Sequence, residues 1–315
     1  MRSQVRGSVA AFGAAAVIAI LLVWAGTTSL DAQLPAGYTP PRTAGGQPDL
    51  NGFWQAITTA NWDIEEHPAK AAPNEIVEGA YLAQPPGFGI VEGGAIPYNA
   101  AGLKQKQIYL ENRLKPEPLP PNDQPYDNSD PEAKCFQPGV PRGTYMQLPF
   151  QIVQSYNYPK IFIQYTFGPS PSRLINLDRI FPIAPGSVSA KELLETYVYY
   201  GQSIGRWVGN TLEVETRFFN SNVWLDRSGN FYGEHAVVTE RYTPTSPFHL
   251  MYEVTINDPA NFTRPWKMSM PLYKLVDAPA KLQILEFQCV PLQEEFAYGK
   301  YKKGVFTLDD IKKPQ

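Results

Sequence analysis

The side chains able to do chemistry in this chain are few, and their spacing suits little of it. There are 3 histidines (His67, His235 and His249) and 2 cysteines (Cys135 and Cys289) in 315 residues. Scattered imidazoles do not make a three-ligand zinc site, and two thiols without Cys-x-x-Cys spacing do not complete one. His235 follows Leu225-Asp226 at the start of a predicted strand. An Asp226–His235 pair is therefore the one catalytic candidate, because a carboxylate bonded to an imidazole can orient it as a general base. The plainer reading is a strand-end histidine satisfied by a neighbour. Ser203 sits in Gly201-Gln-Ser203-Ile-Gly205, which has the letters of a nucleophile elbow. That elbow needs a strand before it and a helix after it, whereas Ser203 to Val208 reads as a strand. No phosphate-binding loop or dinucleotide fingerprint is present. Asp123, Asp127, Asp130 and Glu132 lack the alternating ligands and central glycine of a calcium loop, so they read as a solvated acidic loop. These residues imply no cofactor and no metal.

Binding candidates are more numerous. Arg206 and Trp207 are adjacent on a predicted strand and so face opposite ways. Trp207 is expected to fill core, while Arg206 is expected to pair with Glu213 or Glu215, or to hold a ligand carboxylate. Trp224, Arg264 and Trp266 are the further candidates for contact with a ligand or partner.

The elements that must position these residues begin about halfway along. From Leu148 onward, β-forming runs recur with turn signals between them: FQIVQS, KIFIQYTF, RLINLD, SIGRWV, TLEVETRFF, EHAVVTERYT, FHLMYEVTI, WKMSMPLYKL and LQILEFQC. Thr243-Pro244 and Asp258-Pro259 read as separators, and Gly209-Asn210 as a tight hairpin turn. Short strands without intervening helices predict an all-β domain over 148–297, an antiparallel barrel or sandwich. Gly52-Phe-Trp54 upstream suits the opening strand of a lipocalin-like barrel with an apolar cavity. Residues 33–147 are rich in proline and glycine and read as an extended arm that wraps the domain. One helix interrupts the arm: Asn99 is its expected N-cap, Ala100 to Arg113 its span, Leu103, Leu110 and Leu114 its packed face, and Pro116 its stop. Ser189 to Glu192 has the pattern of a capping box. Residues 298–315 read as a basic, solvated tail.

Residues 1–32 read as an export signal. Arg2 and Arg6 precede an uncharged apolar stretch over 8–26, and small Ala32 precedes an expected mature start at Gln33. That stretch is close to the roughly 20 residues that cross a bilayer, so an uncleaved anchor is the alternative. Either way the body is expected in the periplasm or another extracytoplasmic space. Two cysteines in an oxidising compartment most simply pair, Cys135 with Cys289; two buried free thiols are the rival. The formal net charge of −3 gives no electrostatic footprint for nucleic acid.

One set of motifs is distinctive. Gly201-Gln-Ser-Ile-Gly-Arg-Trp207 is followed by Thr211 to Thr216, Trp224-Leu-Asp226, Val238 to Tyr242, Glu253 to Pro259 and Arg264-Pro-Trp266. Upstream lie Pro48 to Trp54, Ile96-Pro-Tyr98 and Cys135 to Arg142. In this order, over nearly all of residues 40–290, the chain resembles a large family of exported bacterial proteins, common in acidobacteria and proteobacteria, without an established activity. The resemblance implies a shared fold and export, and no catalytic residue or cofactor. In that family histidine is frequent where Gln202 stands, and one or two histidines stand where Asn230 and Phe231 lie. Here His235 alone remains nearby.

Three functional readings follow. The first is a non-catalytic binding or scaffolding protein with a protein partner, including an accessory subunit tethered by residues 8–26 to a membrane complex for electron transfer or light harvesting. The second is a lipocalin-like carrier of a hydrophobic small molecule, and the third is a hydrolase using Asp226 and His235. The missing histidines and the lack of a reactive constellation favour the first.

Overall fold

A computed structural model describes residues 38–71, 83–113, 130–168, 172–178, 181, 199–220, 222–277, 281–284 and 286–289. The expected leader, the capping box at 189–192, Leu114, Pro116, Asp123, Asp127 and the basic tail lie outside these residues.

Nine strands close into a barrel in chain order: β1 (Gly52–Ala56), β2 (Phe150–Gln154), β3 (Lys160–Tyr165), β4 (Ser172–Asn176), β5 (Gln202–Val208), β6 (Thr211–Arg217), β7 (Val237–Ser246), β8 (His249–Asn257) and β9 (Trp266–Lys274). β1 pairs with β2 on one side and β9 on the other, which removes both sheet edges. Neighbours run antiparallel except β4 and β5, whose ladder is parallel and only two residue pairs long. The odd strand number demands this: directions cannot alternate all the way round a closed ring of nine.

Period-2 patterning aims the side chains. Phe150 and Ile152, Ile161 and Ile163, Leu212 and Val214, Tyr252 and Val254, and Met268 and Met270 alternate with outward residues and are buried inside. Gly209, at φ +60°, turns β5 into β6 as expected.

Several expectations are corrected. The arm is not wholly outside the β domain, since its Gly52–Ala56 supplies β1. Thr243-Pro244 lies within β7 rather than between strands; the proline, which has no N–H to donate, sits beside a register shift. Residues 281–284 and 286–289 form no strand, because β1 already occupies the free edge of β9. Among the described residues of the arm, Val91 bridges to Met268 of β9, and Tyr98 to Phe262 in the loop between β8 and β9.

The arm helix, α1 (Ala100–Asn112), is capped by Asn99, whose side chain accepts the Gly102 amide at 2.9 Å. Its packed face is Gly102 and Tyr109 rather than Leu103, which is exposed. A Cβ on Gly102 would lie 2.4 Å from the Asn261 carbonyl oxygen, so only glycine lets the helix approach there. Tyr109 packs 4.7 Å from the Trp224 ring and 5.0 Å from Phe231. A short helix α2 (Arg142–Tyr145) leads into β2, and Cys135 is disulfide-bonded to Cys289.

Candidate binding surfaces and the buried networks behind them

Asp226 lies fully buried in the loop between β6 and β7. Its Oδ1 accepts the amides of Ser228 (2.9 Å) and Asn230 (3.1 Å), and its Oδ2 accepts the Ile64 amide (3.0 Å) and Asn230 Nδ2 (2.6 Å). Burial and then the nearby Asp63 carboxylate push its pKa up to about 8, against the bonds from Asn230 and Ile64 and the charge of Lys106. A perturbed carboxyl facing a cleft is a candidate acid or base. This one is enclosed by donors that tie the loop to the arm. The His235 side chain is 88% exposed, with Glu234 3.5 Å away. The two form no catalytic pair, because Asp226 is enclosed in the fold while the His235 side chain stands in water beside Glu234.

Two binding candidates are also withdrawn from the surface. Trp224 and Trp266 are buried, the first against Tyr109 and the second against Phe262 at 5.5 Å. Arg264 is exposed, its guanidinium donating to the Pro265 carbonyl at 3.3 Å. Arg206 lies on the outer wall and pairs with Glu213 directly across the hairpin. Glu213 also accepts from Arg241 at 2.8 Å, so Arg206 is held structurally. Such exposed pairs contribute about 0–1 kcal/mol. Trp207 is partly buried against the core, as expected.

Sequence reasoning missed two buried ion-pair networks. Inside the barrel, Arg173 of β4 donates from Nη1 to Glu240 Oε1 of β7 at 3.0 Å, and from Nη2 to Glu240 Oε2. The same guanidinium donates to Ser203 Oγ of β5 (3.0 Å) and Thr216 Oγ1 of β6 (2.7 Å). Tyr242 and Tyr252 donate their hydroxyls to Glu240 Oε1 at 2.9 and 2.7 Å. Burial disfavours the Arg173 cation, but Glu240 outweighs it and keeps the guanidinium charged. Burial, followed by the Glu240 charge, holds both phenols well above their ordinary range. These side chains occupy the barrel's interior where a carrier would need an apolar cavity, which argues against the lipocalin-like reading.

The second network corrects the solvated acidic loop. Asp130 is fully buried and Glu132 nearly so. Arg142 forks onto Asp130 at 2.6 and 3.0 Å and reaches Glu132 at 2.6 Å, while its Nε donates to Asn61 Oδ1 at 2.8 Å. Arg227 adds two bonds to Glu132, at 2.8 and 2.7 Å, and stacks over Trp62. Burial would raise the Glu132 pKa, but the Arg227 and Arg142 charges outweigh it and the net shift is downward. A lowered folded-state pKa stabilises the fold above the ordinary value of 4.5 and stops doing so as pH falls through the lowered value. Glu132→Gln is therefore expected to cost about 2–3 kcal/mol at pH 7, with the gap to wild type closing below pH 4.5. Urea titrations at a series of pH values check this, and a gap constant with pH would refute it.

Two surface features remain. A groove of about 510 Å³ opens at the end of the barrel where β2 turns into β3 and β5 into β6. It is lined by Tyr156, Asn157, Tyr158, Gln47 and Trp207 among others. On the outer wall, Val153, Phe162 and Leu174 stand directly opposite one another on β2, β3 and β4. They are 40%, 44% and 37% exposed.

Among the described residues no group of three or more His, Cys, Asp or Glu is placed to hold a metal ion, and no helix is long and apolar enough to cross a membrane. Compared with protein-family models, curated proteins and solved structures, the chain matches none of them.

Proposed function

We propose that this chain is an exported, non-catalytic scaffold that docks a partner protein on the outer face of β2–β4. The carrying observation is the cross-strand row Val153–Phe162–Leu174, three apolar side chains facing water on neighbouring strands. Singly exposed apolar residues are ordinary, but a contiguous row is the usual mark of an interaction surface. Behind that face Arg173 of β4 is bonded to Ser203, Thr216 and Glu240 inside the barrel. Retention of residues 8–26 as an anchor would place the scaffold beside a membrane complex.

Co-purification from native membranes in mild detergent tests this. The wild-type chain is expected to bring down one stoichiometric partner, and Phe162→Glu to lose it while changing stability by no more than about 0.5 kcal/mol. A wild-type chain that purifies alone would refute the docking role. A native N-terminus found at Gln33 by mass spectrometry would remove the tether and leave the docking face intact.

A further inference from the structure

The groove at the β2–β3 and β5–β6 end carries a second site, independent of the docking face. We propose that it binds a neutral oligosaccharide. Its volume of about 510 Å³ lies in the range of small-ligand sites, ~300–1,000 Å³.

The lining excludes other ligand classes one by one. An anion would need an available cation, and Arg206 is held by Glu213. A hydrocarbon would bury polar groups without replacing their water. The side-chain amides of Gln47 and Asn157 and the hydroxyls of Tyr156 and Tyr158 have no hydrogen-bond partner among the described residues and keep their water. Leaving such groups dry and unpaired costs about 1–3 kcal/mol each. A peptide strand has only the stretch of β5 past Ile204, where the ladder to β4 stops, to pair with, and would leave the amides and phenols of the lining to water. A polyproline run offers carbonyl acceptors alone and would leave the amide oxygens of Gln47 and Asn157 unmet.

Sugar hydroxyls both donate and accept, as do the two amides and the two phenols. The electron-rich faces of Tyr156, Tyr158 and Trp207 suit the C–H faces of a pyranose ring. Trp207 adds a donor that is already buried and so already desolvated.

Titration calorimetry of the purified chain with maltotriose, cellotriose and chitotriose tests the proposal. At least one is expected to bind saturably below ~10 mM, with added salt leaving its affinity unchanged because no unpaired charge takes part. Trp207→Phe, which keeps a ring and removes the N–H, is expected to weaken binding about tenfold, the loss of one hydrogen bond. Tyr158→Ala, in an exposed turn where folding is not at stake, is expected to do the same. Binding of none of the three overturns the proposal. So does binding that both variants leave unchanged, or stronger, salt-sensitive binding of trigalacturonate.

Discussion

Replacing Arg173 with methionine is expected to lower the free energy of unfolding by about 3–5 kcal/mol, the range for breaking one side of a buried ion pair. The guanidinium it removes satisfies Glu240, Ser203 and Thr216 together. Glu240 would be left in the interior with two tyrosine hydroxyls and no cation. Much of the loss comes from that stranded carboxylate, which gives the prediction a second arm. Arg173→Met combined with Glu240→Leu removes both charges and is expected to recover most of the stability, since an apolar replacement of a whole buried pair is often neutral or better. Urea unfolding of the two variants decides it. A single variant within about 1 kcal/mol of wild type, or a double variant no better than the single, would show that the network contributes little.

Loss of the Cys135–Cys289 disulfide is the other large effect. The bond closes a loop over a sequence separation of 154 residues. In the chain-entropy account, cross-linking so long a loop stabilises by up to about 5 kcal/mol, with 2–5 kcal/mol typical of native bonds. Cys289→Ser, Cys135→Ser and the double variant are all expected to lose the same amount. The denatured chain should also expand when the link is cut, so the urea m value is expected to rise as the midpoint falls. A midpoint that falls with m unchanged would instead locate the effect in native packing where the link ends, at the Phe167–Phe287 contact (5.2 Å). No change in midpoint would refute a stabilising role for the bond.

Much of the architecture was legible because alternation maps directly onto the inside and outside of a barrel wall. Leu212 and Val214 against Glu213 and Glu215 read correctly, and so did the turn at Gly209-Asn210; of the two glutamates expected for Arg206 across it, Glu213 is the partner. The capping asparagine of α1 was equally plain, since the preference is local chemistry. Its packed face was not, because the decisive event is the absence of a side chain at Gly102 against a distant carbonyl.

The buried networks were hidden for a different reason. Residue type says that Arg173, Glu240, Asp130 and Glu132 belong in water, and only partners far off in sequence permit their burial. One signal was available: Glu240 shares the parity of Val238 and Tyr242, so the alternation that aims those two inward aims it inward as well. Asp226 and His235 were joined on nearness in sequence alone. The loop between them turns one to the protein's inside and the other to water.

The parallel contact between the fourth and fifth strands carries a mechanical consequence. A cylinder fails along its thinnest line, and here the main chain supplies two residue pairs where other junctions supply as many as nine. If the wall parts, it does so there, and two lips of unbonded amides become available to a neighbouring molecule. The clasp across that slit is the Arg173 side chain, which starts on one lip, touches Ser203 on the other and grips Glu240 two strands beyond. A charge in the middle of the molecule thus guards against sticking between molecules, and its loss should be felt as aggregation as well as melting.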